Sequence, residues 1–213
     1  MREAHTFNMK IEKTIINPGI ADNDFPLLRM YAEALEVSKK LPEDVCFIET
    51  GTRNGDSAMV FLKAILDSGK KRWLFTVDPY GDKPYGVGNI VSSTYGYDEQ
   101  HYRNAMYSLS KYAWDNDLLH YHYRMLSQEF YKVAEATEFW YGGAKVERKY
   151  GLVYLDGEHT FDAIKKELDF FLPRLVKGGI IIVDDISFIT TQEISELPIQ
   201  GEIEHNKLFY KHG

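Results

Sequence analysis

The sequence predicts an α/β fold in which a mostly parallel sheet is covered by helices on both faces. Short apolar runs at Val45–Ile48, Leu74–Val77, Leu119–Tyr123, Leu152–Leu155 and Ile180–Val183 alternate with stretches of helical spacing. Strand–helix–strand repetition is the mark of a parallel sheet. The run Ile180-Ile181-Ile182-Val183 is apolar at every position, as a central strand buried on both sides must be. The chain has 213 residues, 44% hydrophobic and 14% aromatic, which suits one domain (1–213) with a substantial core.

Residues 1 to about 24 are polar and irregular, with a turn signal at Asn17-Pro18-Gly19. A helical pattern then runs from near Phe25 through Leu28, Tyr31, Ala32 and Leu35, so that 1–44 reads as an N-terminal cover segment. The first apolar run leads into Glu49-Thr50-Gly51-Thr52-Arg53-Asn54-Gly55 and a helix carrying Met59, Leu62, Lys63 and Leu66. The stretch 79–101 breaks the regular alternation. It holds Gly81, Gly86, Gly88 and Gly96 and opens a region, Tyr80 to Tyr123, with 9 of the 15 tyrosines. A connection this long is expected to be a lid-like insertion, the alternative being a surface loop whose tyrosines pack locally. Further on, Thr160 is a candidate N-cap for a helix that sets Phe161, Ile164, Leu168, Phe171, Leu172 and Leu175 on one face. Lys165, Lys166, Glu167 and Asp169 are expected outward, and Pro173 is expected to kink the last turn. Gly178-Gly179 is expected to end that unit, and Pro198–Tyr210 to form a closing hairpin at the sheet edge.

Charge narrows the partners. With 25 Lys+Arg against 32 Asp+Glu the formal charge is −7, and no basic block compensates, so nucleic acid is a poor partner. The single Cys46 cannot form an internal disulfide and reads as a buried, inert thiol. No apolar stretch approaches the roughly 20 residues that cross a bilayer, and the N-terminus lacks a signal-peptide core. The expectation is a cytoplasmic protein with no membrane partner, its oligomeric state left open.

The turn Glu49–Gly55 between a strand and a helix has the form of a nucleotide-binding turn. Gly51 allows a sharp bend and close approach of a ligand, and Gly55 lets the helix start tight against the sheet. Glu49 selects the ligand by charge. A dinucleotide places its pyrophosphate at this strand end, and a carboxylate ~4 Å from a phosphate charge costs about 4 kcal/mol at an effective dielectric of 20. The same carboxylate favours an ammonium or sulfonium. Asp78, 23 residues beyond Gly55 at the end of the second apolar run, is placed to accept hydrogen bonds from a ribose diol, or alternatively to form a turn before Pro79.

These residues, with Tyr154-Leu155-Asp156-Gly157-Glu158-His159-Thr160-Phe161 and Gly178-Gly179-Ile180-Ile181-Ile182-Val183-Asp184-Asp185, resemble the class I S-adenosylmethionine-dependent methyltransferases. The resemblance is to the small-molecule O-methyltransferase branch, related to the macrocin and catechol enzymes and to the cephalosporin-hydroxylase-like group, and it covers roughly Val45 to Ile186. It implies a Rossmann-like, doubly wound sheet, mostly parallel with a final antiparallel strand, and S-adenosylmethionine at the carboxyl ends of the strands. Carried over by position, Glu49, Gly51 and Gly55 line the methionine and turn region, Asp78 the ribose and Leu126-Ser127-Gln128 the adenine, with Thr52, Asn54 and Asp156 as further expected cofactor-binding residues. The insertion at 79–101 departs from the family pattern and leaves the acceptor wall undefined.

Asp156, Asp184 and Asp185 end two expected parallel strands, and three carboxylates at one rim repel one another unless a cation joins them. A hard divalent ion, Mg²⁺ by default, fits oxygen ligands, and these positions match metal ligands in the metal-dependent branch; helix capping without an ion is the other reading. Bound there, an ion lowers the pKa of an acceptor hydroxyl. Glu158 or His159 is expected to take the acceptor's proton, although a helix-start role for Glu158 and a structural one for His159 remain open. His120 and His122 share one strand face without an evident third ligand. The expected reaction is methyl transfer to a hydroxyl of a small molecule, a sugar or a phenol, by in-line attack that needs no protein nucleophile. The alternatives are another S-adenosylmethionine-using or hydroxylase-like reaction on the same fold, an NAD-dependent oxidoreductase, or a non-catalytic binding module.

Overall fold

The computed structural model describes residues 25–81, 85–87, 90–92 and 98–213. The irregular segment expected at 1–24 and most side chains of the 79–101 insertion lie outside the described residues.

The elements begin with α1 (Phe25–Lys40), β1 (Cys46–Thr50), α2 (Asp56–Ser68) and β2 (Trp73–Val77). A short antiparallel pair, β3 (Tyr85–Val87) and β4 (Ile90–Ser92), follows, then α3 (Glu99–Asp115) and β5 (Leu119–Tyr123). Next are α4 (Ser127–Ala136), the hairpin of β6 (Phe139–Tyr141) and β7 (Ala144–Val146), β8 (Tyr150–Leu155) and α5 (Phe161–Phe171). The chain closes with β9 (Leu175–Val183), a 3₁₀ turn at Ile186–Phe188, α6 (Thr191–Glu196), β10 (Glu202–Glu204) and β11 (Lys207–Lys211).

One seven-stranded sheet has the order β10-β11-β9-β8-β1-β2-β5. Its strands β5, β2, β1, β8 and β9 run parallel, while β11 runs antiparallel to β9. The fold is therefore the Rossmann-like, mostly parallel sheet with an antiparallel strand near its edge. The order reverses at β1, and the neighbouring crevice at the carboxyl ends is where such sheets bind ligands.

Alternation along the strands sorts side chains between two cores. Phe47, Leu74, Leu152, Tyr154, Ile180 and Ile182 face one layer with α1, α2 and α3. Ile48, Phe75, Val77, Val153, Leu155, Ile181 and Val183 face the other, with α4 and α5. Arg72 secures the first layer from below. It is fully buried, and its guanidinium donates to the Ser38 carbonyl in the last turn of α1 and to the carbonyls of Leu41, Pro42 and Val45 in the connection to β1.

Local expectations hold in part. Thr160 caps α5, accepting from the Ala163 N–H at 3.3 Å, and the β10–β11 pair is the expected closing hairpin. Burial pushes the Cys46 thiol up to about 12, as expected of an inert core thiol. Three expectations need correction. Helix α3 begins at Glu99, capped by Asp98, whose carboxylate accepts from the N–H groups of Gln100 and His101, so the irregular connection is shorter than 79–101. Pro173 ends α5 in a 3₁₀ turn at Leu172–Arg174, after which β9 starts at Leu175 and carries Gly178-Gly179 within it. Glu167, expected outward, is buried.

Among the described residues, no helix is long and apolar enough to cross a membrane.

Candidate active site

The carboxyl ends of β1, β2, β8 and β9 converge on one rim. There Gly51 turns the chain with φ +83°, and a Cβ built on it would lie 1.9 Å from the Asp156 carbonyl oxygen. No side chain fits between these two loops. The Asp156 N–H donates to the Thr50 carbonyl at 2.9 Å and the Gly51 N–H to that of Val77 at 2.8 Å, so the turn is tied to both neighbouring strand ends.

Strand alternation sends the last two side chains of β1 to opposite layers. Glu49 points to the α2 side, where the Ser57 hydroxyl donates to its Oε1. It is wholly buried, and Oε2 has no hydrogen-bond partner. Burial, and beyond it the nearby charges of Asp156, Asp78 and Asp56, raise its pKa well above the usual carboxylate range. Thr50 points to the α5 side and donates to Glu167 at 3.4 Å, and Tyr131 of α4 donates to the same carboxylate at 2.7 Å. Burial pushes Glu167 up to about 7. This polar knot adjoins Gly157, where an added Cβ would lie 3.5 Å from Ser127 Oγ, 3.7 Å from Glu167 Oε1 and 3.9 Å from Thr50 Oγ1.

Asp78 is 2% exposed and accepts from the backbone N–H groups of Arg53 at 3.1 Å and Tyr80 at 3.0 Å. It thus forms the turn before and after Pro79 while standing at the strand end expected for a ribose acid, and a carboxylate has lone pairs for further donors. Thr52 is buried with its Oγ1 unpartnered; Asn54 is exposed, and Gly55 starts α2 in a left-handed conformation. His120 and His122 both hydrogen-bond Thr76, and burial lowers them to about 4 and about 3, so they are neutral structural imidazoles.

The expected three-carboxylate set is rearranged. Asp156 and Asp185 converge, but the third member is His159: one ligand atom from each lies within 4.8 Å of the others. Nε2 of His159 stands 3.6 Å from Asp156 Oδ1 and 3.6 Å from Asp185 Oδ2. Asp184 is held elsewhere. Its carboxylate accepts from Lys207 of β11, from the Tyr154 hydroxyl and from the Asp185 N–H at 2.7 Å. Burial, then the Asp184 charge, pushes Asp156 up to about 8, against the opposing pull of Arg53 and Lys207. Burial lowers the His159 pKa below the ordinary imidazole value, with Asp185 and Asp184 pulling the other way. Glu158 is exposed and accepts from the Thr160 hydroxyl at 3.0 Å.

The turn between β10 and β11 shapes this rim, which the sequence motifs did not signal. Asn206 donates its side-chain amide to Asp185 Oδ1 at 2.9 Å and accepts the N–H groups of Ser187 and Ile186 on its side-chain and backbone oxygens. Phe188, 60% exposed, stacks on His159 with ring centroids 5.6 Å apart.

A family profile described as a methyltransferase domain matches residues 48–186, which spans β1 to the loop after β9. The chain belongs to this methyltransferase family. No curated protein sequence matches it. Among solved structures, this methyltransferase domain is similar in fold to the O-methyltransferase NovP, with a TM-score of 0.59 and 14% identity over 88% of this chain and 79% of that one. It is also similar to CalS11, a TDP-rhamnose 3'-O-methyltransferase of calicheamicin biosynthesis, at TM-score 0.57 and 14% identity over 100% and 95% of the two chains. A third is the MycE methyltransferase of the mycinamycin pathway, in complex with Mg and SAH, at 0.52 and 12% over 95% and 54%.

Proposed function

We propose that this methyltransferase moves the methyl group of S-adenosylmethionine to a hydroxyl of a small molecule, a sugar or a phenol. The observation that carries the reading is Glu49, a wholly buried carboxylate whose Oε2 lacks a hydrogen-bond partner at the end of β1. A cationic amino-acid sulfonium draws this buried carboxyl into its charged form and is attracted by it, whereas a pyrophosphate would push its raised pKa higher still and gain nothing from it. Gly51 brings the backbone against the ligand, and Asp78 stands one strand away for the ribose. The printed descriptions of NovP and CalS11 as O-methyltransferases, one of them acting on a sugar nucleotide, support oxygen as the acceptor.

In the transfer, the acceptor oxygen attacks the methyl carbon as the carbon–sulfur bond breaks, and the bond pair stays on sulfur to give the neutral thioether. The acceptor's proton leaves to Glu158, the exposed carboxylate at the rim. Holding oxygen, carbon and sulfur in line is the main contribution of the fold. Phe188 offers an aromatic face beside His159 on which a sugar or phenolic ring can lie.

A divalent ion suits the rim. Asp156 Oδ1 and His159 Nε2 are buried without hydrogen-bond partners and face Asp185 Oδ2, a set of donors that fits a cation. An ion held there would polarise the acceptor hydroxyl and ease its deprotonation.

The test is incubation of the purified protein with methyl-deuterated S-adenosylmethionine and a panel of sugars, nucleotide sugars and phenols, read by mass spectrometry. One acceptor class should gain the labelled methyl on oxygen as S-adenosylhomocysteine accumulates. Label found only on nitrogen or carbon, or no labelled product across the panel, would overturn the reading.

A further inference from the structure

The geometry points to an ion site made of one imidazole and two carboxylates, His159, Asp156 and Asp185, from which Lys207 withdraws Asp184, so that the site takes a borderline transition ion such as Co²⁺ in preference to Mg²⁺. The inference rests on the methyl-transfer reading above and specifies which cation that site accepts.

Four observations carry it. First, His159 is 7% exposed and Asp156 8%, and each presents a buried atom without a hydrogen-bond partner, Nε2 and Oδ1, to the same point. Leaving such atoms unsatisfied costs free energy unless a ligand completes them.

Second, the imidazole is prepared as a ligand. Its Nε2 faces both carboxylates at 3.6 Å, and Phe188 stacks on the ring at an interplanar angle of 23°, which holds its orientation.

Third, Asp185 is aimed. Asn206 takes its Oδ1 and leaves Oδ2 toward His159. Asp185 itself is in a left-handed conformation, φ +49°, which a non-glycine residue keeps only where surrounding contacts impose it.

Fourth, the third carboxylate is already neutralised by the chain. Lys207, 8% exposed, donates to Asp184 and lies 3.5 Å from the Tyr154 hydroxyl. Because β11 runs antiparallel beside β9, Lys207 arrives on the same sheet face as Tyr154 and Asp184. Two carboxylates then remain for a divalent ion, balancing its charge.

Magnesium prefers all-oxygen octahedral sites, whereas an imidazole ligand shifts preference toward borderline transition ions. The lysine of the closing hairpin therefore sets the ion class by subtraction.

The test uses the full chain stripped of metal, titrated separately with Co²⁺ and Mg²⁺, and the Co²⁺ form examined by proton NMR. Co²⁺ should bind tighter than Mg²⁺ and show one hyperfine-shifted, solvent-exchangeable imidazole N–H. His159→Asn should remove that resonance and weaken Co²⁺ roughly 10- to 100-fold, with little change for Mg²⁺. Lys207→Met should release Asp184 and tighten Mg²⁺ by about tenfold, narrowing the preference. No shifted imidazole resonance, equal affinity for the two ions, or Co²⁺ affinity unaltered in His159→Asn would each overturn the proposal. His159→Asn and the resonance decide the matter even if Lys207→Met does not fold. S-adenosylmethionine titrated into the same metal-free sample separates the two readings. Cofactor binding without the resonance sinks only the ion assignment; the resonance without cofactor binding sinks only the methyl-transfer reading.

Discussion

Glu49→Gln is expected to give a protein more heat-resistant than the parent and nearly blind to S-adenosylmethionine. Both effects follow from one buried carboxylate. Burial, and after it the surrounding acids, raise its pKa well above the ordinary value, so without a cationic ligand the folded state holds a proton that the unfolded chain loses near pH ~4. The stability this neutral form contributes is present at low pH and is lost as pH rises from the unfolded value through the raised folded one. Glutamine stays neutral at every pH and keeps an acceptor for the Ser57 hydroxyl. The gain in melting temperature should therefore be small at pH 4 and grow toward pH 8. Affinity moves the other way. A charge pair ~4 Å apart is worth about 4 kcal/mol at an effective dielectric of 20, and even partial loss predicts about 100-fold weaker binding of the sulfonium cofactor. Calorimetric titration with differential scanning calorimetry reads both. A variant that binds normally, or melts lower at pH 8, would remove Glu49 from the cofactor site.

Gly51→Ala should damage fold and site together. The backbone there has φ +83°, and the added methyl would sit 1.9 Å from the Asp156 carbonyl oxygen. The obstacle is backbone, hydrogen-bonded to the end of β1, so β1 and β8 must part at the rim. Backbone strain of about 1–3 kcal/mol adds to that displacement, predicting a loss of about 3 kcal/mol or more and a fall in melting temperature of roughly 10 °C for a domain of this size. Cofactor affinity should drop at least about 100-fold, since Asp156 moves with the turn. Gly55→Ala provides the contrast. Its φ is also +83°, but the nearest atom is the Leu109 side chain at 3.1 Å, which can shift. A Gly51→Ala protein with parental melting temperature and affinity would show that the close approach is not needed.

How much of this was legible in the sequence depended on the range of the signal. The apolar runs, the Thr160 cap and the Glu49–Gly51–Asp78 pattern are local, and each lies where local reading placed it, because periodicity and turn chemistry act within a few residues. Glu167 was misplaced because helical spacing sorts residues by hydrophobicity. Its burial is set by Thr50 and Tyr131, partners 117 and 36 residues away. The same limit explains Asp184. The Asp184-Asp185 pair announced a carboxylate cluster, but which of the two faces the site is decided by Lys207 and Asn206, and these arrive only through the antiparallel return of β11. The start of α3 at Glu99, earlier than the expected end of the insertion, was hidden by a glycine- and tyrosine-rich stretch that masked the Asp98 cap.

The claim on which the account turns is that the rim binds a sulfonium cation opposite Glu49. Titration calorimetry of the metal-free protein with S-adenosylmethionine at neutral pH, repeated in two buffers of different ionisation enthalpy, tests it most directly. The account predicts binding accompanied by proton release, as the arriving cation draws Glu49 into its charged form, with Glu49→Gln abolishing that release. Absence of binding, or binding that takes up protons, would contradict it.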